Sequence, residues 1–292
     1  MNLLITGASG FLGSALAIRF AGMQHEVSLL AREDSNLHRL GNTSIFKIGR
    51  CDTDLEINQF ICHVSPDVII HAASCYGRGG ESYLEMLDSN VRFGVAILNS
   101  VKNLEKKIAF INAGTALSED VSFYAFTKIQ FEKLVSFIAK TSIPHIQFIN
   151  VKLQHMYGPG DDESKFSTYV VHACKNNVQS LPLTSGEQRR DFIYIDDVVD
   201  AYVKILDNLT EFDDCQKIEL GSGVALRLRD FVETVHRLTN STTELLFGTI
   251  PYRENDAMTM VANIRTLKDL GWVPQFNIET GIKKIIEMET AR

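Results

Sequence analysis

The sequence predicts an α/β protein: a doubly wound parallel sheet with a smaller C-terminal lobe interleaved with it. Three observations carry this expectation. Short, continuously apolar runs alternate with helix-length amphipathic stretches through the first half of the chain, and strands of that kind belong to sheets covered by helices on both faces. A glycine-rich turn, Gly7-Ala8-Ser9-Gly10-Phe11-Leu12-Gly13, separates the first such run from the first helical pattern. After Tyr157-Gly158-Pro159-Gly160 the segments become shorter and more mixed, with no low-complexity linker.

In order along the chain, strands are expected over residues 3–6, 26–30, 44–48, 67–70, 108–112 and 146–151. Helical patterns between them include residues 10–21, 83–101 and 124–140. Residues 1–157 are read as the sheet-bearing domain and 158–292 mainly as the second lobe, with segments around 187–205 returning to the first.

Composition bounds the function. A net charge of -7 argues against a nucleic-acid partner, which calls for a basic face. Five cysteines, an odd count without a CxxC pair, read as reduced thiols of a cytoplasmic protein rather than a disulfide framework, and no metal-binding cluster is expected. No stretch approaches the roughly 18 apolar residues of a membrane span. No basic, then apolar, secretory leader is expected either.

The glycine turn has the context a dinucleotide site requires. Glycines permit a tight turn and close backbone approach to a pyrophosphate, and the following helix N-terminus offers N–H groups to the phosphates. Gly7, Ser9, Gly10, Phe11, Leu12 and Gly13 are therefore cofactor candidates. The second strand ends Leu30-Ala31-Arg32, where an NAD-preferring site usually carries a carboxylate. An arginine there suits a 2′-phosphate, so NADP(H) is expected over NAD(H), unless Arg32 is only a solvated loop charge. Asp52 is placed to meet the adenine. Ala72 and Ala73, after the fourth strand, are small enough for backbone approach, and His71 reads as a packed strand-end histidine.

Tyr124-Ala125-Phe126-Thr127-Lys128 puts a phenol and an ammonium on one helix face. A nearby ammonium lowers a phenol's pKa, so Tyr124 is the expected proton donor to a ketone and Lys128 its partner, also holding the nicotinamide ribose. Thr115, closing the preceding strand, is the candidate hydrogen-bond donor to the reacting oxygen, or else an ordinary turn hydroxyl. Asn90 either orders backbone or a water near the lysine or faces solvent.

Together the glycine turn, Thr115, Tyr124 and Lys128 resemble the extended short-chain dehydrogenase/reductase family of nucleotide-sugar enzymes, which are built on a Rossmann sheet. Gln188-Arg189-Arg190-Asp191-Phe192-Ile193-Tyr194, Asp196-Asp197-Val198, Arg253 and Leu270-Gly271-Trp272 follow in family order, so the likeness spans nearly the whole chain. The resemblance implies that Arg190 and Arg253 grip a substrate diphosphate, and that the protein is a homodimer joined through the Tyr/Lys helix. Phe126, Phe131, Leu134 and Phe137 supply that helix with apolar surface for core and partner alike. There are two departures from the family pattern. Lys152 and His155 stand where arginine and asparagine are usual; His155 either contacts substrate or packs. Ala116, Leu117 and Ser118 follow Thr115, where 4,6-dehydratases carry an acidic pair, so elimination lacks its carboxylates.

Narrower strings resemble the CDP-paratose and CDP-abequose synthases: Ala73-Ser74-Cys75-Tyr76-Gly77-Arg78, the Phe110–Thr115 strand end, Asp161-Asp162 with Lys165-Phe166, and Leu183-Thr184-Ser185-Gly186. Those enzymes reduce the 4-keto group of a CDP-linked 3,6-dideoxyhexose to make sugars for bacterial surface polysaccharide (O-antigen, lipopolysaccharide). Tyr76, Arg78, His155 and Lys165 then become candidate substrate contacts, and Cys75 is not read as catalytic. The alternatives are a dTDP-4-keto-6-deoxyhexose reductase, an NAD-dependent nucleotide-sugar 4-epimerase, and more distantly a non-catalytic dinucleotide-binding scaffold.

Overall fold

A computed structural model of the protein describes residues 1–290. The chain divides into two compact units, Met1–Lys152 with Tyr202–Ile218, and Leu153–Ala201 with Glu219 to the C-terminus.

The first unit alternates strand and helix: β1 (Asn2–Thr6), α1 (Phe11–Gly22), β2 (Glu26–Ala31), β3 (Lys47–Arg50), α2 (Asp54–Val64), β4 (Val68–His71), α3 (Tyr83–Leu87), α4 (Phe93–Val101), β5 (Ile108–Thr115), α5 (Phe123–Thr141) and β6 (Ile146–Leu153). The second contains β7 (His155–Tyr157), α6 (Phe166–Lys175), β8 (Ser180–Leu183) and β9 (Arg189–Tyr194). After α7 (Ile195–Asp207) and β10 (Cys215–Leu220), it continues with β11 (Ala225–Arg227), α8 (Leu228–Leu238), β12 (Glu244–Phe247), α9 (Arg265–Asp269) and α10 (Ile278–Thr290).

The large sheet has seven strands in the order β10-β6-β5-β4-β1-β2-β3. Its described pairings β1–β2, β1–β4, β2–β3 and β4–β5 are parallel. Every residue of β4 and β5 is buried, because helices cover both faces. Leu4, Ile69, Ile97, Phe110, Phe131 and Phe148 belong to one core cluster; burying each such side chain contributes about 1.5–3 kcal/mol. Strand order reverses at β1, so the carboxyl ends of β1 and β4 flank the crevice where ligands bind in doubly wound sheets.

Sequence and structure differ in four places. The third strand begins at Lys47, not residue 44, because the Asn42 side chain accepts from the Ser44 N–H and Phe46 N–H closes a turn on Thr43. The expected helix 83–101 is broken by a π-helical turn over Asp88–Arg92. A further helix, α2, is opened by a reciprocal Thr53–Glu56 cap. The returning segment is Tyr202–Ile218 rather than 187–205. The reason is pairing: β9 lies between β11 and β7 in a separate three-stranded sheet, while β10 forms the edge of the large one.

In the second unit, β12 and β8 make a parallel pair. Buried Asp191 on β9 accepts from the N–H groups of Ser222, Gly223 and Ala262, fastening two loops to that strand. No described helix is long and apolar enough to cross a membrane.

Candidate active site

The glycine turn is built against the end of β4. Gly7 has φ +72°, and a Cβ there would lie 2.5 Å from the Ala73 nitrogen and 2.6 Å from the Ala72 carbonyl carbon. A Cβ on Gly13 would overlap the Gly7 carbonyl oxygen. Only hydrogen side chains allow this approach. Gly10 precedes α1 and no side chain caps that helix, so its first turn presents backbone toward the crevice. Thr6, just before the turn, ties the parts together: its Oγ1 accepts from Ala73 N–H at 3.2 Å and bonds His71 Nδ1 at 2.9 Å.

Arg32 follows β2 with its side chain 72% exposed, facing Asp34 at 3.6 Å. The loop that carries it is held by a residue that sequence reasoning passed over. Arg50 Nη1, at the end of β3, donates to the carbonyls of Arg32, Glu33 and Ser35 at 3.1, 2.9 and 2.8 Å. Asp52 Oδ1 accepts from the Glu33 N–H at 3.2 Å, holding the same loop. Nothing in the spacing singles out Arg50; one basic residue at a strand end is common.

The π-helical turn explains Asn90. It carries Asn90 to a fully buried position, where Oδ1 accepts from Cys75 N–H at 2.7 Å. Its Nδ2 donates to the Cys75 carbonyl and to Thr127 Oγ1, both at 2.9 Å. Thr127 lies between Tyr124 and Lys128 and donates to the Tyr124 carbonyl. Asn90 thus joins the loop after β4 to the Tyr/Lys helix, rather than facing solvent.

Thr115 ends the strand β5, buried, and its Oγ1 accepts from Leu117 N–H at 3.2 Å. That turn contact orients the hydroxyl and leaves its own hydrogen to donate. Ser122 caps α5, and Tyr124 and Lys128 follow in its first turns.

The electrostatics differ from the simple Tyr–Lys expectation. Desolvation, reinforced by a hydrogen-bonded Tyr76, pushes the Tyr124 phenol well above its ordinary range, and the cation that opposes the shift is Arg78. Lys128 lies deeper. Its Nζ is buried without a hydrogen-bond partner, and desolvation brings the ammonium down to about 8. His71, desolvated among Phe93, Phe110 and Phe131 and repelled by Lys128, falls to about 3 and is neutral at physiological pH. The Tyr76 ring stacks on Tyr124 with centroids 4.5 Å apart, and the Arg78 guanidinium lies 5.2 Å from the Tyr76 centroid.

The remaining candidates lie in the second unit. Arg190 is buried: Nη2 donates to Asp256 at 2.6 Å and Nη1 to its neighbour's carbonyl at 2.9 Å, while Gln188 holds the other Asp256 oxygen. Asp256, which the sequence reading also passed over, therefore positions Arg190. Arg253 is exposed. Lys165 reaches both oxygens of buried Asp161, at 2.8 and 3.0 Å. His155, on β7, packs against Phe192.

The residues fit a dinucleotide cofactor on two independent counts: a cradle that a Cβ at Gly7 would fill, and a buried ammonium at Lys128 that lacks a partner. A glycine cradle at the sheet's switch point, with a Tyr/Lys helix beside it, defines an NAD(P)-dependent oxidoreductase. The chain belongs to the NAD dependent epimerase/dehydratase family, whose model matches residues 3–221. It is 33% identical to a CDP-abequose synthase of Salmonella typhimurium over 97% of each chain. It is 24% identical to a dTDP-4-dehydro-6-deoxyglucose reductase of Escherichia coli over 98% of this chain and 96% of that one. A UDP-glucose 4-epimerase of Thermotoga maritima shares its fold over 100% of both chains, with a TM-score of 0.86 at 18% identity.

Proposed function

We propose that the protein reduces the 4-keto group of a nucleotide-linked deoxyhexose with NADPH, the preferred substrate being a CDP-linked 4-keto-3,6-dideoxyhexose. The observation that carries this reading is full-length likeness to a CDP-abequose synthase, 33% identical over 97% of each chain. The nucleotide and sugar are proposed from that likeness. Arg32, with Ala31 where an NAD site would carry a carboxylate, supports NADPH.

The parts have separate tasks. The glycine turn and the backbone of Ala72 and Ala73 bind the cofactor's phosphates and ribose, and Lys128 donates to the nicotinamide ribose. When bound, the reduced nicotinamide supplies the hydride. Thr115 and Tyr124 hydrogen-bond the ketone oxygen, and Tyr124 gives it a proton. Arg190 and Arg253 hold the diphosphate. Arg190 has five donors, and its bonds to Asp256 and a backbone carbonyl leave others for phosphate oxygens. Such remote contacts position the carbonyl for reaction. Unbridged cysteines agree with a cytoplasmic enzyme. Exposed Phe126, Leu134 and Phe137 on α5 support a homodimer, while Phe131 is spent on the core.

The test is loss of NADPH absorbance with a panel of CDP- and dTDP-linked 4-keto-6-deoxy and 3,6-dideoxy sugars. Fastest oxidation is expected with the CDP-linked dideoxy ketone. Oxidation of none, together with interconversion of 4-hydroxy sugars, would replace this reading with a 4-epimerase.

A further inference from the structure

We propose that Arg50 is a positioning residue that sets cofactor choice: it holds the loop presenting Arg32, and through that loop decides how well the protein tells a ribose 2′-phosphate from a 2′-hydroxyl. The inference rests on the reading of NADPH as the reductant.

Strand register brings the parts together. β2 and β3 are parallel, and Arg50, the last residue of β3, lies beside Ala31, the last of β2. The chain leaves β2 through Arg32 and turns at once, the Ser35 N–H donating to the Arg32 carbonyl at 3.1 Å. Three carbonyl oxygens of this short turn, those of Arg32, Glu33 and Ser35, converge on Arg50 Nη1 at 3.1, 2.9 and 2.8 Å. Carbonyl oxygens aimed at one place repel each other, and a cation between them replaces that repulsion by attraction.

The same end of β3 also answers the turn's N–H groups. Asp52 Oδ1 accepts from the Glu33 N–H at 3.2 Å, and the Asp52 N–H donates to Glu56 at 3.1 Å, in the cap that opens α2. Between them, the Cys51 N–H donates to the Ala31 carbonyl at 2.9 Å. Residues 50–52 thus grip residues 31–35 through donors and an acceptor alike.

The Arg32 side chain is not gripped. It is 72% exposed, and Asp34, 3.6 Å away, is 80% exposed. An ion pair so open to water contributes little and yields to a stronger anion. A long side chain must be immobilised when it binds, and the cost grows if its backbone is loose as well. Arg50 removes the backbone part of that cost. It also sets a permanent positive charge among Glu33, Asp34, Asp52 and Glu56, which would otherwise repel a phosphate dianion. A 2′-hydroxyl asks neither service, so the grip matters to NADPH and hardly to NADH.

Arg50→Met keeps the stem and removes the donors. Arg50 is exposed, so the change leaves no hole in the core. Calorimetry of the full chain with 2′-phospho-ADP-ribose and with ADP-ribose tests the site without hydride or ketone. The variant should bind the first about tenfold more weakly, the cost of immobilising one long side chain, and the second within about twofold of the wild type. Arg50→Lys, which keeps the charge but replaces the planar fork by one ammonium, should fall between the two. In hydrogen exchange without ligand, the Glu33 and Ser35 amides should exchange about tenfold faster in Arg50→Met, since the turn that protects them is freed. Equal losses for both ligands would make Arg50 merely structural and overturn the proposal, as would unchanged exchange. A wild type that binds the two ligands equally well removes the NADPH reading and this inference with it. A wild type that discriminates, with a variant that discriminates as well, sinks this inference alone.

Discussion

Replacing Lys128 by Met should stabilise the protein in the absence of cofactor, although it removes a residue assigned to function. The reason is the cost of an unpaired buried ammonium. Lys128 Nζ has no hydrogen-bond partner, and desolvation lowers its pKa from 10.5 to about 8. That fall corresponds to about 3 kcal/mol against the charged form at neutral pH. Met keeps most of the apolar stem without the charge, so a gain of about 1–3 kcal/mol is expected at pH 7. The pH dependence makes the argument specific. Between about 8 and 10.5 the unfolded chain holds the lysine proton more tightly than the folded one, so wild-type stability rises with pH across that window. The variant lacks this term, and its advantage should vanish as pH nears 10.5. Denaturant unfolding followed by circular dichroism at several pH values measures both. Added NADPH should stabilise the wild type more than the variant. A variant less stable at pH 7, or an advantage that does not change with pH, would refute the reasoning.

Other expectations concern the chemistry, the cofactor, the scaffold and the assembly. Tyr124→Phe should lower kcat by about 10²–10⁴-fold while NADPH binding, read by fluorescence, is retained. Arg32→Ala should weaken NADPH binding about tenfold to a hundredfold and leave NADH binding nearly unchanged, since one charge-assisted contact is lost; equal losses for both would remove Arg32 from the 2′-phosphate site. Asn90→Ala leaves the Cys75 N–H and its carbonyl without their partner, so a loss of about 2–4 kcal/mol in unfolding free energy is expected. Phe137, 65% exposed on α5, should be dispensable for folding, and Phe137→Glu should convert a dimer to a monomer in sedimentation velocity; an unchanged sedimentation coefficient in a dimeric protein would place the interface elsewhere.

Local rules made much of the site legible. A glycine turn between an apolar run and a helix needs only short-range geometry, so the tight turn over Gly7, Gly10 and Gly13 could be placed from spacing. The same holds for Tyr124 and Lys128, four residues apart on one helix. Contacts from distant segments were not legible. Arg50 holds the Arg32 loop across 15 to 18 residues, and Asp256 meets Arg190 across 66. The boundaries that failed did so through local side chains and pairing. Asn42 turns the chain where a strand was expected to begin, and β9 joins a sheet of its own.

By itself, then, the sequence determined the class of fold, the tight glycine turn and the helix that carries Tyr124 and Lys128, because each depends on periodicity or backbone freedom within a few residues. Tertiary structure decided the electrostatic surroundings of the site. Burial leaves Lys128 unpartnered and brings its pKa down, while desolvation and then Tyr76 push the Tyr124 phenol up. A pKa depends on water excluded and on charges that approach from elsewhere in the chain, and neither is written in local spacing.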